Sequence, residues 1–229
     1  MSRLVVVTGG TKGIGAAVAQ RFTDLGDRVV ALNREDLDVT DEDAVGAVLG
    51  TIPVDVLVNN AGIADSAPVH RTDTASWQAQ LEVNATGAFL CTRAVLPGMR
   101  ERDRGRIVTV ASTAGRVGAP YTAAYSASKH AALGLMRAVA AEVAGTGVTA
   151  NAVCPAFVRT DMTARSVARV AETTGRSTVD SEASLAALSP LGRLLEPEEV
   201  AFAVAFLAAP EAGAINGQAI VLDGGGIQA

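Results

Sequence analysis

VVVTGGTKGIG, residues 5–15, carries three valines and a threonine into glycines at positions 9, 10, 13 and 15. The apolar run Leu4–Thr8 predicts a strand. Ala16–Leu25, with apolar residues at helical spacing and Gly26 behind it, predicts a helix. Between them Gly9, Gly13 and Gly15 meet three needs: a tight turn, close backbone approach to a pyrophosphate, and close contact of helix on strand. The helix N-terminus offers free N–H groups and a partial positive charge to an anion, so Gly9, Thr11, Lys12, Gly13, Ile14 and Gly15 are read as a dinucleotide cradle. Lys12 precedes Gly13 and no Gly-Lys-Ser or Gly-Lys-Thr triplet occurs, which removes nucleotide hydrolysis of the P-loop kind.

Such a cradle expects an acid roughly 20 positions on, to hold a ribose 2′-hydroxyl. Asn33 stands there, followed by Arg34. A neutral amide beside a guanidinium, with Lys12 in the same corner, suits a 2′-phosphate that a carboxylate would repel, and this favours NADP(H). Glu35 and Asp36 keep NAD(H) open as the alternative.

Further runs of strand length occur at Val29–Leu32, Val54–Asn59, Arg106–Ala111, Val148–Val153 and Ala219–Leu222, separated by long Ala-rich helical stretches. This alternation predicts an α/β fold with a doubly wound parallel sheet buried on both faces. One unit is short. After the second strand, REDLDVTDEDAV (residues 34–45) leaves about three residues before the next extended patch, whereas a parallel crossover needs about a dozen. The edge strand around Leu37–Val39 is therefore expected to be vestigial or absent. With no repeat, low-complexity tract or linker, residues 1–229 form a single catalytic domain on this reading. The polar stretch 165–188, rich in Ser, Thr, Arg and Glu, is expected to cross the ligand face as a lid.

The 229 residues are 49% hydrophobic and 19% charged, with 3% aromatics, which suits a closely packed aliphatic core. A formal charge of −5 offers no basic surface for nucleic acid or anionic lipid, so neither is expected as a partner. Cys91 and Cys154 are too few for a disulfide framework or a metal spacing; buried free thiols, no metal and a cytoplasmic location are expected. The apolar run of the N-terminal stretch is about five residues, far from the ~20 of a membrane helix.

Taken together, TGGTKGIG (8–15), NNAG (59–62), Asn84 in VNATGAF (83–89), Ser112 closing VTVAS (108–112), YSASK (125–129), NAVCPAFVRTDM (151–162) and LDGG (222–225) resemble the short-chain dehydrogenases/reductases. The match runs from Arg3 to the end, with Ser112 and Tyr125 separated by the family's thirteen positions. The resemblance implies a single-domain Rossmann-like fold and an oxidoreductase of ketones and secondary alcohols. Asn60, Ala61 and Gly62 would line the adenosine ribose and diphosphate, Asp38 and Val39 the adenine, and Pro155, Val158 and Thr160 the nicotinamide. Two departures stand out: the shortened unit after Arg34, and Ala156 where the family has Gly after Pro155.

In the implied catalytic set, Ser112 binds the substrate carbonyl, Tyr125 exchanges its proton, Lys129 assists, and Asn84, on the long helix preceding the fourth strand, holds a relay water. At i and i+4 on a helix, Tyr125 and Lys129 stack, and an ammonium is expected to lower the phenol pKa from about 10 by ~1–3 units. Lys129 and Tyr125 would also bind the coenzyme ribose. Tyr121 has no cation at helical spacing and is read as pocket wall or packing; His70, His130 and Trp77 are read as structural.

YSASKHAALG, NAVCPAF and the segment from ETTGRS to LSPLGRLLEPEEVA most resemble 3-oxoacyl thioester and polyketide-type ketoreductases. A small carbonyl substrate, carried on coenzyme A or a carrier protein, is therefore expected, with a cyclic or aromatic ketone as alternative. A catalytically silent NADP(H)-binding member is the reading from another class. Apolar faces on 77–100 and 123–143 exceed what one sheet face needs, and the family resemblance implies that those helices build a homotetramer or homodimer.

Overall fold

The computed structural model describes residues 2–228, so Met1 and Ala229, the ends of the expected domain, lie outside the described residues. Six strands, β1 (Leu4–Thr8), β2 (Arg28–Leu32), β3 (Val56–Asn59), β4 (Gly105–Val110), β5 (Val148–Pro155) and β6 (Ala219–Leu222), form one parallel sheet in the order β2-β1-β3-β4-β5-β6. Each lies within two residues of a predicted run. The chain begins at β1, moves out to β2, then returns past β1 to β3, so the winding reverses between β1 and β3. At such a reversal the loops leaving the carboxyl ends of the two strands diverge and open a crevice.

The continuous apolar strands follow from burial on both faces. Val5 and Val7 of β1 point into one core with Val18 and Phe22 of α1 (Gly13–Asp24) and Val200, Val204 and Leu207 of α8 (Pro197–Leu207). Val6 points the other way, into a second core with Leu90, Val95 and Met99 of α4 (Gly87–Glu101) and Leu133 and Met136 of α5 (Ala123–Glu142). A one-residue register slip would exchange these faces, which fixes the pairing.

The unit after β2 is shortened as expected, and the edge strand is absent. Residues 34–36 turn, and Leu37 and Val39, 4% and 7% exposed, drop into the second core without strand pairing. A Cβ on Gly87 would lie 2.6 Å from Val39 Cγ2, so the bare glycine at the start of α4 is what admits this plug. Burying two such side chains contributes about 1.5–3 kcal/mol each, which offsets the loss of a strand. Asp41 then caps α2 (Glu42–Leu49) by accepting from Ala44 N at 3.0 Å, and α2 leads to β3.

The expected helix of residues 77–100 carries a π-turn, Glu82–Thr86, between α3 (Thr74–Leu81) and α4, with helical geometry kept throughout. The polar stretch 165–188 is helical, built from α6 (Asp161–Thr174) and α7 (Thr178–Ala186). Ser177 caps α7 within that stretch, and Thr160 caps α6 just before it.

Candidate active site

The β1–α1 corner forms as its glycines require. A Cβ on Gly15 would lie 2.1 Å from Gly9 O and 2.6 Å from Asn60 Nδ2, so no other residue fits there. Asn60 braces the corner: its Nδ2 donates to Thr8 O at 2.9 Å and Gly9 O at 3.0 Å, while the backbone N–H groups of Asn60 and Ala61 donate to Thr8 Oγ1, both at 3.1 Å. The Asn60 amide nitrogen is thus committed to shaping the corner. Lys12 is the N-cap of α1 without a side-chain cap bond, and the first turn holds no acid, so the leading N–H groups of Gly13, Ile14 and Gly15 face the crevice uncompensated. Thr11 and Lys12 are exposed at its lip. A bare concave backbone ending in free N–H groups fits a diphosphate.

Across the corner, Asn33 is folded into the turn, its Oδ1 accepting from Glu35 N at 2.6 Å and Asp36 N at 3.1 Å. The Asp36 carboxylate accepts from Asn33 N at 3.0 Å. Arg34 is 87% exposed and pairs with Asp38 at 3.2 Å, a surface pair of small net worth that a doubly charged phosphate can displace. The Thr40 backbone N–H and hydroxyl, with Arg34 beyond them, hold the Asp38 carboxyl below its ordinary pKa. The Val39 side chain is spent in the core, leaving its backbone for any contact at the surface.

The catalytic constellation gathers at the carboxyl ends of β4 and β5. Ser112 caps a 3-10 turn, Thr113–Gly115, its Oγ accepting from Ala114 N at 3.1 Å. Tyr125 lies in the first turn of α5 and is half-buried; burial raises its pKa and a hydrogen bond with the Ser112 side chain opposes the rise. The expected lowering by Lys129 is therefore not what this structure shows. The reason is geometric: Lys129, 5% exposed, donates from Nζ to Val110 O at 2.9 Å, and Nζ stands 5.8 Å from the Tyr125 ring centroid. Burial lowers the Lys129 pKa to about 8, with Cys154 acting weakly against it.

Asn84 lies in the π-turn rather than on a regular helix. Its Oδ1 accepts from Ile63 N at 2.8 Å, and its Nδ2 donates to Ile63 O and to Ser128 Oγ, both at 2.9 Å. A Cβ on Gly62 would be 3.0 Å from Asn84 Oδ1 and 3.5 Å from Lys129 Nζ, so the two polar ends meet across Gly62. Ser128, fully buried, completes the frame by donating to Tyr125 O at 2.8 Å. Sequence reasoning alone misses Ser128; its signal is a small hydroxyl three residues after Tyr125, on the same helix face.

Pro155 ends β5, Val158 is buried and bridges to Leu195, and Thr160 caps α6 at the mouth. Ala156 N donates to Leu222 O at 3.0 Å, which ties this segment to β6. Over the mouth, α6 reaches the opposite wall through Arg169 NH1 and Asp65 Oδ1 at 2.6 Å. Neither histidine joins the constellation: His70 is exposed, and the exposed His130 ring bonds Ser126 O. Among the described residues no cluster of three or more His, Cys, Asp or Glu is placed to hold a metal, and no helix is long and apolar enough to cross a membrane.

Comparison with known proteins fits this geometry. A family model described as enoyl-(acyl carrier protein) reductase matches residues 35–226. The chain is 38% identical to an acetoacetyl-CoA reductase of Shinella zoogloeoides, covering 98% of each protein. It is 35% identical to FabG, the 3-oxoacyl-acyl-carrier-protein reductase of Vibrio cholerae, covering 97% of this chain and 96% of that one. Among solved structures, a variant of actinorhodin polyketide ketoreductase with NADPH superposes with a TM-score of 0.90 at 34% identity, covering 98% of this chain and 97% of that chain.

Proposed function

This chain belongs to the short-chain dehydrogenase/reductase family, and on that footing we propose that it is an NADP(H)-dependent ketoreductase acting on a 3-oxoacyl thioester or polyketide-type ketone. The single observation that carries the reading is the convergence of Ser112, Tyr125 and Lys129 at the carboxyl ends of β4 and β5, across the crevice from a phosphate-shaped corner. When bound, the coenzyme supplies a hydride to the carbonyl carbon. Ser112 and Tyr125 hold the carbonyl oxygen between two hydroxyls. Tyr125, kept protonated at neutral pH by burial, donates its proton to that oxygen. Lys129 faces the ring at 5.8 Å and, with its pKa lowered to about 8 by burial, is the group that passes on the proton replacing the one Tyr125 gives up. Asn84, anchored by Ile63 and Ser128, keeps the polar end of Lys129 open toward Gly62, the route by which the proton is replaced.

Arg34 and Lys12 would hold the 2′-phosphate, Gly9 to Gly15 the diphosphate, Asn33, Asp38 and Val39 the adenosine end, Asn60 to Gly62 the ribose side, and Pro155, Val158 and Thr160 the nicotinamide. The chain is one catalytic domain on this reading, with α6 and α7 as its lid. The exposed aromatics Phe89 on α4 and Phe202 and Phe206 on α8, 42%, 62% and 47% exposed, support a homotetramer using both faces. Two buried free thiols fit the cytoplasm.

The test is NADPH and NADH oxidation at 340 nm with a 3-oxoacyl thioester and a cyclic diketone. The thioester should be the better substrate and NADPH the better coenzyme. Replacing both Lys12 and Arg34 with Ala should raise the Kd for NADPH about 10- to 100-fold, the loss of one or two charge-assisted bonds, and leave NADH nearly untouched. A wild type that prefers NADH would overturn the assignment of both cations.

A further inference from the structure

Two non-glycine residues among those described have positive φ, Asp103 at 46° and Tyr121 at 67°. Asp103 belongs to a residue type that tolerates this region, and its carboxylate accepts from Gly147 N at 2.7 Å. A bulky aromatic adopts it only at a cost, and Tyr121, 67% exposed, has little packing to offset that cost. Its backbone joins the loop after β4 to the loop after β3, because Tyr121 O accepts from Ala67 N at 2.8 Å. A glycine would make that bond without strain. The side chain is therefore what the strained position adds, and its surroundings locate its use. It lines a small, largely polar recess with Asp65 and Ser66 of the loop after β3, Ser76 and Gln80 of α3, and Ala123 and Ala124, immediately before Tyr125 along the chain. Asp65 is where Arg169 of the lid meets that wall. The ring thus stands at the rim, where lid and wall converge outside the reacting centre.

We propose that Tyr121 is a specificity-determining residue, its ring forming the rim on which the apolar part of the substrate remote from the carbonyl lies. The assignment rests on the ketoreductase reading above. Tyr121→Gly and Tyr121→Phe are compared with wild type on a small 3-oxo ester and a long-chain 3-oxoacyl thioester. Tyr121→Gly should raise KM about 3- to 10-fold for the long substrate, the worth of one aromatic contact, and leave the small ester unchanged. Its thermal midpoint should hold or rise by roughly 2–4 °C as the strain is released. Tyr121→Phe should keep the long-substrate KM. Equal KM changes for both substrates, or none for either, would overturn the proposal. A wild type that binds NADPH yet reduces neither ketone would instead defeat the ketoreductase reading beneath it.

Discussion

Tyr125→Phe should lower kcat by about 10²–10⁴-fold, the ordinary worth of a positioned acid, while NADPH binding stays nearly intact. The substitution removes one oxygen and leaves the ring that faces Lys129 Nζ at 5.8 Å. Ser112 and the corner at Gly9 to Gly15 are untouched. Turnover at 340 nm and a fluorescence titration with NADPH separate the two effects. Because burial raises the Tyr125 pKa, the phenol remains an acid through neutral pH. Reduction by the wild type should therefore hold level from pH 6 to about 8, whereas alcohol oxidation, which needs the phenolate, should climb with pH. Full activity in Tyr125→Phe would dispose of the assignment.

Lys129→Met should cost about 10²-fold in turnover, the lower end of the ordinary worth of a positioned acid–base group. Its effect on stability should have the opposite sign. The Lys129 pKa of about 8 lies below the ordinary value of 10.5, so the fold disfavours the ammonium. Between those two values the unfolded chain binds more protons, and stability rises with pH through that window. Below about pH 8 the full burial penalty applies. Removing the charge relieves it, so Lys129→Met should melt no lower than wild type at pH 7 and show a flatter stability profile from pH 8 to 10. A midpoint that falls sharply at pH 7 would mean that the bond from Nζ to Val110 O outweighs the burial of the charge.

Much of this was legible in the residues. The β-branched runs located all six strands because a strand covered on both faces has no polar side to interrupt it. The spacing of Tyr125, Lys129 and Ser112 was legible because a helix and a strand end fix it. The missing edge strand followed from chain length, yet the fate of Leu37 and Val39 did not, since their burial depends on the bare surface of Gly87, about fifty residues away. The π-turn at Glu82–Thr86 has no composition of its own and arises where Asn84 must turn inward to Ile63 and Ser128. The direction of the Tyr125 pKa also escaped the sequence: spacing sets which groups are neighbours, but not how deeply each is buried. That Asn60 Nδ2 also braces the corner, through Thr8 O and Gly9 O, was not legible, since it depends on how β1 and β3 meet.

Separate sources for the hydride and the proton can be traced by isotope. Wild-type protein is run in ordinary water with a 3-oxoacyl thioester and coenzyme deuterated at the transferable C4 position, and the alcohol is read by NMR. If Tyr125 gives only a proton to oxygen, the carbinol carbon will carry one deuterium per molecule, and none when the label is in the water alone. A carbinol carbon labelled from water, or left unlabelled by the coenzyme, would contradict the division of roles between Tyr125 and the β1–α1 corner.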